Sequence, residues 1–299
     1  MALATPTMKL KKEKKLIYRA LNFKTFFKYI FEVISITSQG YLLKDKLLLI
    51  RHYFKIPIFL IKSLYLNKVL TEIEYQYRIL KGNVTIKNRY GIFYCGNNFF
   101  TVLPVITEYE RHFDPYFKLS EGVFIDIGAH IGKYSIRLAN SLKGKGKVYA
   151  IEPEKRIFKM LQTNVKLNRL ENVTCINKGA YSSKKELTFY VTANPGEMYS
   201  SIYKEREDSK VEKIEVDTID NIINELKISR VDLVKIDTEG AENDVIEGAK
   251  ESIKKFKPNI IIEVSSSDSL KRITKTLTAF GYDNPISIDE ENYYFKATK

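Results

Sequence analysis

The period of the hydrophobic pattern changes twice along the chain. From Leu16 to Ile36 and again from Leu47 to Leu66, aromatic and aliphatic residues mix with Lys and Arg as in amphipathic helices, with Gly40 breaking the run and Pro57 interrupting its second half. From residue 71 to 105, three short runs rich in β-formers (Val84–Ile86, Gly91–Tyr94 and Phe99–Val102) stand between Asn and Gly residues and predict a small antiparallel meander. Glu108–Glu110 and Asp114–Leu119 then lead in as helix and loop. Beyond residue 120, unbroken apolar runs alternate with helical patterns. Val123–Ile127, Val148–Ile151, Val173–Asn177, Val231–Ile236 and Ile260–Val264 read as strands buried on both faces. Lys155–Leu167 carries Ile157, Phe158, Leu161 and Val165 on one helical face. Ala241, Val245, Ala249 and Ile253, at four-residue steps, set the buried face of another helix. Leu187–Val191 extends the sheet or forms a flap, and Ile214–Val216 is a short strand. Thr218–Leu226 is a helix capped by Asp217 or Thr218. Helix Ser269–Phe280 and a strand pair at Tyr282–Ile288 and Tyr293–Lys296 complete an open α/β sheet.

The first of these strands runs into Asp126-Ile127-Gly128-Ala129-His130-Ile131-Gly132. Strand, glycine turn and helix make the general nucleotide-binding opening. Asp126 stands where a dinucleotide site would have its first glycine, and a carboxylate there would repel a pyrophosphate. It suits the ammonium of S-adenosylmethionine, which carries a sulfonium and no phosphate. The next strand ends in Glu152, 20 residues after Gly132 in the sequence, where a carboxylate can accept both ribose hydroxyls. Adenine would lie over the turn Lys178-Gly179-Ala180. That turn has no acid to accept the adenine amino group, which leaves Asn177 or the backbone around Ala180 for that contact.

The fourth strand ends Lys235-Ile236-Asp237-Thr238-Glu239-Gly240-Ala241-Glu242. Leu233, Lys235 and Asp237 share one face, and a lysine in an apolar strand needs a partner. With Glu263 ending the fifth strand, Lys235, Asp237 and Glu239 gather at the carboxyl ends of two strands, where open α/β sheets bind ligands. The plain structural alternative is a Lys235–Glu263 ion pair beside solvated turn acids.

Charge adds a second feature. The chain of 299 residues has a net charge of +13, and residues 1–70 hold 12 Lys and 2 Arg against Glu13, Glu32 and Asp45, so +11 of it lies there. Three segments follow: a basic amphipathic helical one at 1–70, a small β/helix lead-in at 71–120, and the α/β domain at 121–299. No apolar run is long enough and free enough of charge to cross a bilayer. The first segment suits an anionic membrane surface, a nucleic acid or a packed helical cap. No secretory leader is read at the start, and Met8 reads as an alternative start after an atypical Met1–Thr7. Cys95 and Cys175 belong to no metal-ligand spacing, and reduced thiols in a cytoplasmic protein are expected.

These residues resemble the FkbM-type family of class I S-adenosylmethionine-dependent methyltransferases over roughly residues 105–265. Asp126, Gly128, Ala129 and Gly132 match its first motif, Glu152-Pro153 its second, and Lys235, Asp237, Glu239, Gly240 and Glu242 its fourth-strand motif. Asn164 and Asn168 match asparagines of the helix between, Glu263 matches the acid ending the fifth strand, and His130 stands where Asn is common. The resemblance implies a Rossmann-like, seven-stranded, mostly parallel sheet with one reversed strand. It also implies O-methylation of a small molecule or sugar hydroxyl, and the first hypothesis for this chain is a glycan or glycolipid hydroxyl.

For that reaction Asp237 is the first choice for positioning or deprotonating the acceptor, with Lys235 orienting Asp237 or Glu263, and His130 second. Asp237 and Glu239 could share a Mg²⁺, though no metal site is assigned. An RNA methyltransferase gripping through the basic segment and a catalytically silent binding module stand as alternatives. No Asn-Pro-Pro-aromatic motif or suitably placed cysteine supports the RNA reading, and the silent module would have lost Asp126 or Glu152. Oligomerisation stays open.

Overall fold

The structure, a computed structural model, describes residues 37–52, 79–98, 101–102, 105, 111–192, 200–201 and 209–298. The helices expected at 16–36 and beyond residue 52 lie outside the described residues, as does Glu108–Glu110. In chain order come helix α1 (43–52), the hairpin β1 (Ile79–Asn88) and β2 (Gly91–Asn98), then a 3₁₀ turn at Arg111–Phe113. Strand β3 (Gly122–Ile127), α2 (Lys133–Leu142), β4 (Gly146–Ile151), α3 (Lys155–Leu167) and β5 (Val173–Ile176) follow. Next are β6 (Gly179–Ala180), β7 (Lys185–Thr192), β8 (Ser200–Ser201), β9 (Ser209–Asp217) and α4 (Ile219–Glu225). The last third is β10 (Leu233–Ile236), α5 (Glu242–Gly248), α6 (Lys250–Phe256), β11 (Asn259–Glu263), α7 (Ser267–Ala279), β12 (Ile286–Ser287) and β13 (Asn292–Phe295).

Seven strands form the main sheet in the order β12-β13-β11-β10-β3-β4-β5. From β11 to β5 all neighbours are parallel, and β13 runs antiparallel to both β11 and β12. This is the expected mostly parallel sheet with one strand reversed. Strand alternation sorts the core into two layers. Ile125, Ile127, Val234, Ile236, Ile260 and Ile262 pack against apolar side chains of α4 to α7. Phe124, Val148, Leu233 and Ile261 pack on the opposite face with Leu138 and Leu142 of α2 and with Phe113 and Phe117 of the lead-in. With helices on both faces, the strands need no polar side, which is why they read as continuous apolar runs.

Three expectations change. The meander is a two-stranded hairpin, because Thr101 and Val102 are helical. The helix over 241–256 is two helices meeting at Ala249. Gly248 ends the first, against the backbone of Tyr181, where an added Cβ would stand 2.1 Å from the Tyr181 carbonyl oxygen. Ala241, Val245, Ala249 and Ile253 are nonetheless all buried, as their spacing predicts. Leu187–Val191 does not extend the main sheet: it lies in a second sheet ordered β6-β9-β7-β8, whose β9 is longer than the predicted Ile214–Val216.

Asn164 and Asn168 have a structural task. They stand one turn apart on α3 and meet alternate residues of β2. The Tyr94 N–H donates to Asn164 Oδ1 at 2.5 Å, and Asn164 Nδ2 donates to the carbonyls of Tyr94 (3.1 Å) and Ile131 (2.9 Å). The Ile92 N–H likewise donates to Asn168 Oδ1 at 2.8 Å, and Asn168 Nδ2 returns a bond to the Ile92 carbonyl at 2.6 Å. The two amides therefore serve β2 as a neighbouring strand would. Beneath them Val84, Ile86, Phe93 and Leu49 of α1 join Ile131, Ile136 and Ile157 in one apolar cluster.

Candidate active site

A cavity of about 380 Å³ opens at the carboxyl ends of β3, β4 and β10, within the size range of small-molecule sites. Its floor is the glycine turn. Gly128 has φ 77°, and a Cβ there would lie 1.7 Å from the Asp237 carbonyl oxygen, so only glycine lets the tips of β3 and β10 cross this closely. Gly128 and Ala129 donate their N–H groups to the Ile151 carbonyl, both at 3.0 Å, which ties the turn to β4. Gly132, with φ 91°, starts α2 and does not line the cavity; a Cβ there would press on Leu161 of α3 at 2.7 Å.

Glu152 enters the cavity from the tip of β4 and is almost fully buried. Its Oε2 accepts the His130 N–H and its Oε1 the Glu154 N–H, each at 2.9 Å. These bonds fix the carboxyl group but do not offset desolvation, and burial pushes its pKa up to about 8. His130 lines the same wall with its backbone at φ 52°. Burial lowers its imidazole to about 4 against the opposing pull of Asp237, so the ring is neutral.

Asp237 lies across the cavity from the sheet tip of β10, with its Oδ2 2.7 Å from Lys235 Nζ. Lys235 is 2% exposed and also stands over the Tyr134 ring, 4.7 Å from its centroid. The lysine is thus ion-paired with Asp237, and its charge also acts on Glu263. Glu239 lines the mouth at φ 53°. Glu242 shapes that turn, its Oε1 accepting from Thr238 Oγ1 at 3.0 Å and from the Gly240 N–H at 2.8 Å. Desolvation, reinforced by the Asp237 charge, raises Glu263 to about 8; Glu239, exposed at the mouth, is pushed up in the same direction by partial desolvation and by the charges of Asp237 and Glu242. Glu263 is not one of the residues that line the cavity.

Besides Gly132, two more residues expected at the donor are placed elsewhere. Asp126 is fully buried beneath the cavity, on the α2 side of the sheet. Its side chain shares a face with Phe124, and the first turn of α2 closes over it, with Ser135 Oγ donating to Asp126 Oδ2 at 2.5 Å. Among the described residues its Oδ1 has no hydrogen-bond donor, and burial raises its pKa to about 6 against the attraction of Lys235. Asn177 spends its amide on the Glu152 and Pro153 carbonyls, at 2.9 and 3.0 Å, and does not line the cavity, although Ala180 does. Asn177 thereby fixes the β4 tip that presents Glu152. The far wall comes from residues that no motif marked: Tyr181, just after β6, and Leu187, Phe189, Ile214 and Val216 of the second sheet. Their signal was the period-two alternation of Leu187 with Phe189 and of Ile214 with Val216. Among the described residues no group of three or more His, Cys, Asp or Glu side chains is arranged to hold a metal ion.

Residues 126–283, more than half of the chain, match the family described as Methyltransferase FkbM domain. The chain belongs to the FkbM methyltransferase family. This FkbM methyltransferase is 24% identical over 178 residues to Methyltransferase 1 of Beauveria bassiana (strain ARSEF 2860), a match spanning 52% of this chain and 70% of that protein. Among solved structures it is similar to the methyltransferase FkbM from Methylobacillus flagellatus KT, at 18% identity and a TM-score of 0.45. That match covers 90% of this chain and 59% of the other, so this methyltransferase spans less than two thirds of that relative's length. It is also similar to the fibrillarin of Aeropyrum pernix in complex with natively bound S-adenosyl-L-methionine. There the identity is 13%, the TM-score 0.39, and the match covers 60% of this chain and 66% of that one.

Proposed function

We propose that this methyltransferase transfers the methyl group of S-adenosylmethionine to a hydroxyl of a sugar, glycan or glycolipid, with Asp237 taking the acceptor's proton. The observation that carries the reading is the pairing of two ends in one cavity: a buried, hydrogen-bonded Glu152 on one side and the Lys235–Asp237 pair on the other. The residues fit such a donor. Glu152 has the acceptor capacity for ribose hydroxyls, and the apolar wall of Leu187, Phe189, Ile214 and Val216 suits the flat face of adenine. The donor supplies an electrophilic methyl on a sulfonium. A lone pair of the acceptor oxygen forms the new C–O bond as the S–CH₃ bond breaks, its electrons remain on sulfur, and the hydroxyl proton passes to Asp237. Lys235 holds Asp237 in place, and the carboxyl groups of Asp237 and Glu239 with the Thr238 hydroxyl offer a polyol several hydrogen-bond partners at the mouth.

Transfer of label from methyl-labelled S-adenosylmethionine to a panel of oligosaccharides, glycolipids, small phenols and RNA tests this. Label in an ether-linked methyl on a sugar is the expected result. Label in RNA, or donor binding with no transfer to any hydroxyl, would overturn it.

A further inference from the structure

We propose that α1 docks the protein on an anionic membrane surface through Leu43, Leu47 and Ile50, with the cations beside them at the headgroups. Helix α1 has two apolar faces. One, made of Leu49 with the buried Asp45 and His52, packs on the β1–β2 hairpin. The other carries Leu43, Leu47 and Ile50 at one- and two-turn spacing. These are 73%, 56% and 36% exposed, and Tyr41 and Leu42 extend the patch at 43% and 48%. Aliphatic side chains on one stripe of a helix are a costly surface to leave in water.

The charges around the stripe choose its partner. Within residues 37–52 the ionisable residues of fixed charge are Lys44, Asp45, Lys46 and Arg51. Asp45 is fully buried and committed to the backbone, accepting the Leu42 N–H at 2.8 Å and the Thr85 N–H at 3.2 Å. The only acid of residues 37–52 is thereby withdrawn from the surface, and within that stretch cations alone flank the leucines. The chain just before, residues 1–36, carries eight Lys or Arg against two acids, the same sign again. A second copy of this helix packed on a two-fold axis would bring like charges together. Of the exposed patch only Tyr41 is aromatic, and the Leu and Ile side chains that make up the rest offer nucleic-acid bases no stacking platform. An anionic bilayer satisfies both features, because aliphatic groups enter the interface while Lys and Arg stay at the phosphates.

Docking here would also orient the active site. Leu49 of α1 belongs to the same apolar cluster as Val102 and as Ile131 of the glycine turn, and Thr101, next to Val102, lines the cavity. A surface held by α1 therefore holds the cavity mouth at a fixed attitude, as a lipid-linked acceptor would require.

The test is co-sedimentation of the full chain with vesicles of phosphatidylcholine alone and of phosphatidylcholine mixed with phosphatidylserine, an anionic lipid that gives a cytoplasmic leaflet its negative surface potential. Binding to the anionic vesicles only, weakened by salt, is expected. Leu43→Ser/Leu47→Ser/Ile50→Ser should lose at least about tenfold in partitioning, and Lys44→Glu/Arg51→Glu should lose a similar factor. Donor affinity by calorimetry should be unchanged in both, which separates this outcome from misfolding and from failure of the catalytic reading. Four results would overturn the proposal: no binding of the parent, undiminished binding of the triple variant, dimerisation abolished by the triple variant, or retention of the chain by RNA in place of vesicles.

Discussion

At the scale of single residues, position decides role more than residue type does. Asp126 and Asp237 both end apolar strands, yet one is sealed under α2 by Ser135 while the other faces the cavity beside Lys235. Asp237→Asn should lower kcat by roughly 10²–10⁴-fold while leaving donor affinity nearly unchanged; equal turnover in the two proteins would remove Asp237 from the chemistry. Glu152→Ala should weaken donor binding by about 1–3 kcal/mol, read by calorimetry, because the ribose would lose a buried acceptor. Gly128→Ala meets two obstacles at once, a left-handed backbone and a Cβ 1.7 Å from the Asp237 carbonyl oxygen. Its expected cost is about 2–4 kcal/mol in urea denaturation. A near-neutral result would mean that the tips of β3 and β10 separate easily.

At the scale of elements, helices and strands with one strong period were legible and the joints between them were not. Lys155–Leu167 is a helix over the residues its apolar spacing gave, and Thr218 caps α4 by accepting the Asn221 N–H at 3.1 Å. The docking of the β1–β2 hairpin on Asn164 and Asn168 was hidden, because a side-chain amide that stands in for a strand leaves no hydrophobic pattern. Asn164→Ala strips partners from the Tyr94 backbone and from the Ile131 carbonyl. A loss of about 1–3 kcal/mol is expected, with faster amide exchange in β2 than in β10. Uniform exchange changes would show that the amides do not act locally. The second sheet was visible only as alternation. Nothing in that period tells whether a strand joins a neighbouring sheet or starts its own.

For the whole molecule, the site is a concentration of buried carboxyl groups, and stability should register it. Glu152 and Glu263 each bind their proton up to about pH 8 in the folded chain, chiefly because of burial. The unfolded chain releases these protons near the ordinary glutamate value of about 4.3. Below that value both states are protonated and the two groups cost nothing. As pH rises from there to about 8 the folded state alone keeps its protons, so stability falls, and above about 8 the full penalty is present. Glu152→Gln should therefore raise the melting temperature at pH 9 relative to the parent and change it little at pH 4. An equal shift at both pH values would contradict the assignment. Donor binding should offset the same penalty by giving the carboxylate hydroxyl partners.

The sequence by itself determined the alternation of strands and helices, the glycine turn, and the acids at the strand tips, because each is a local matter: period, backbone freedom and the end of an apolar run. It also carried enough of the motif to mark an FkbM-type methyltransferase. Only the tertiary structure decided which acid faces the cavity, since that depends on which helix covers which face of the sheet. It set Lys235 at ion-pair distance from Asp237, turned Asn177 from ligand contact to structural tie, and brought Phe189 and Val216 across to Glu152. It also exposed Leu43, Leu47 and Ile50 while burying Asp45 on the same short helix. These are contacts between elements far apart in the chain, and a one-dimensional pattern gives the face a residue shares without giving what stands opposite.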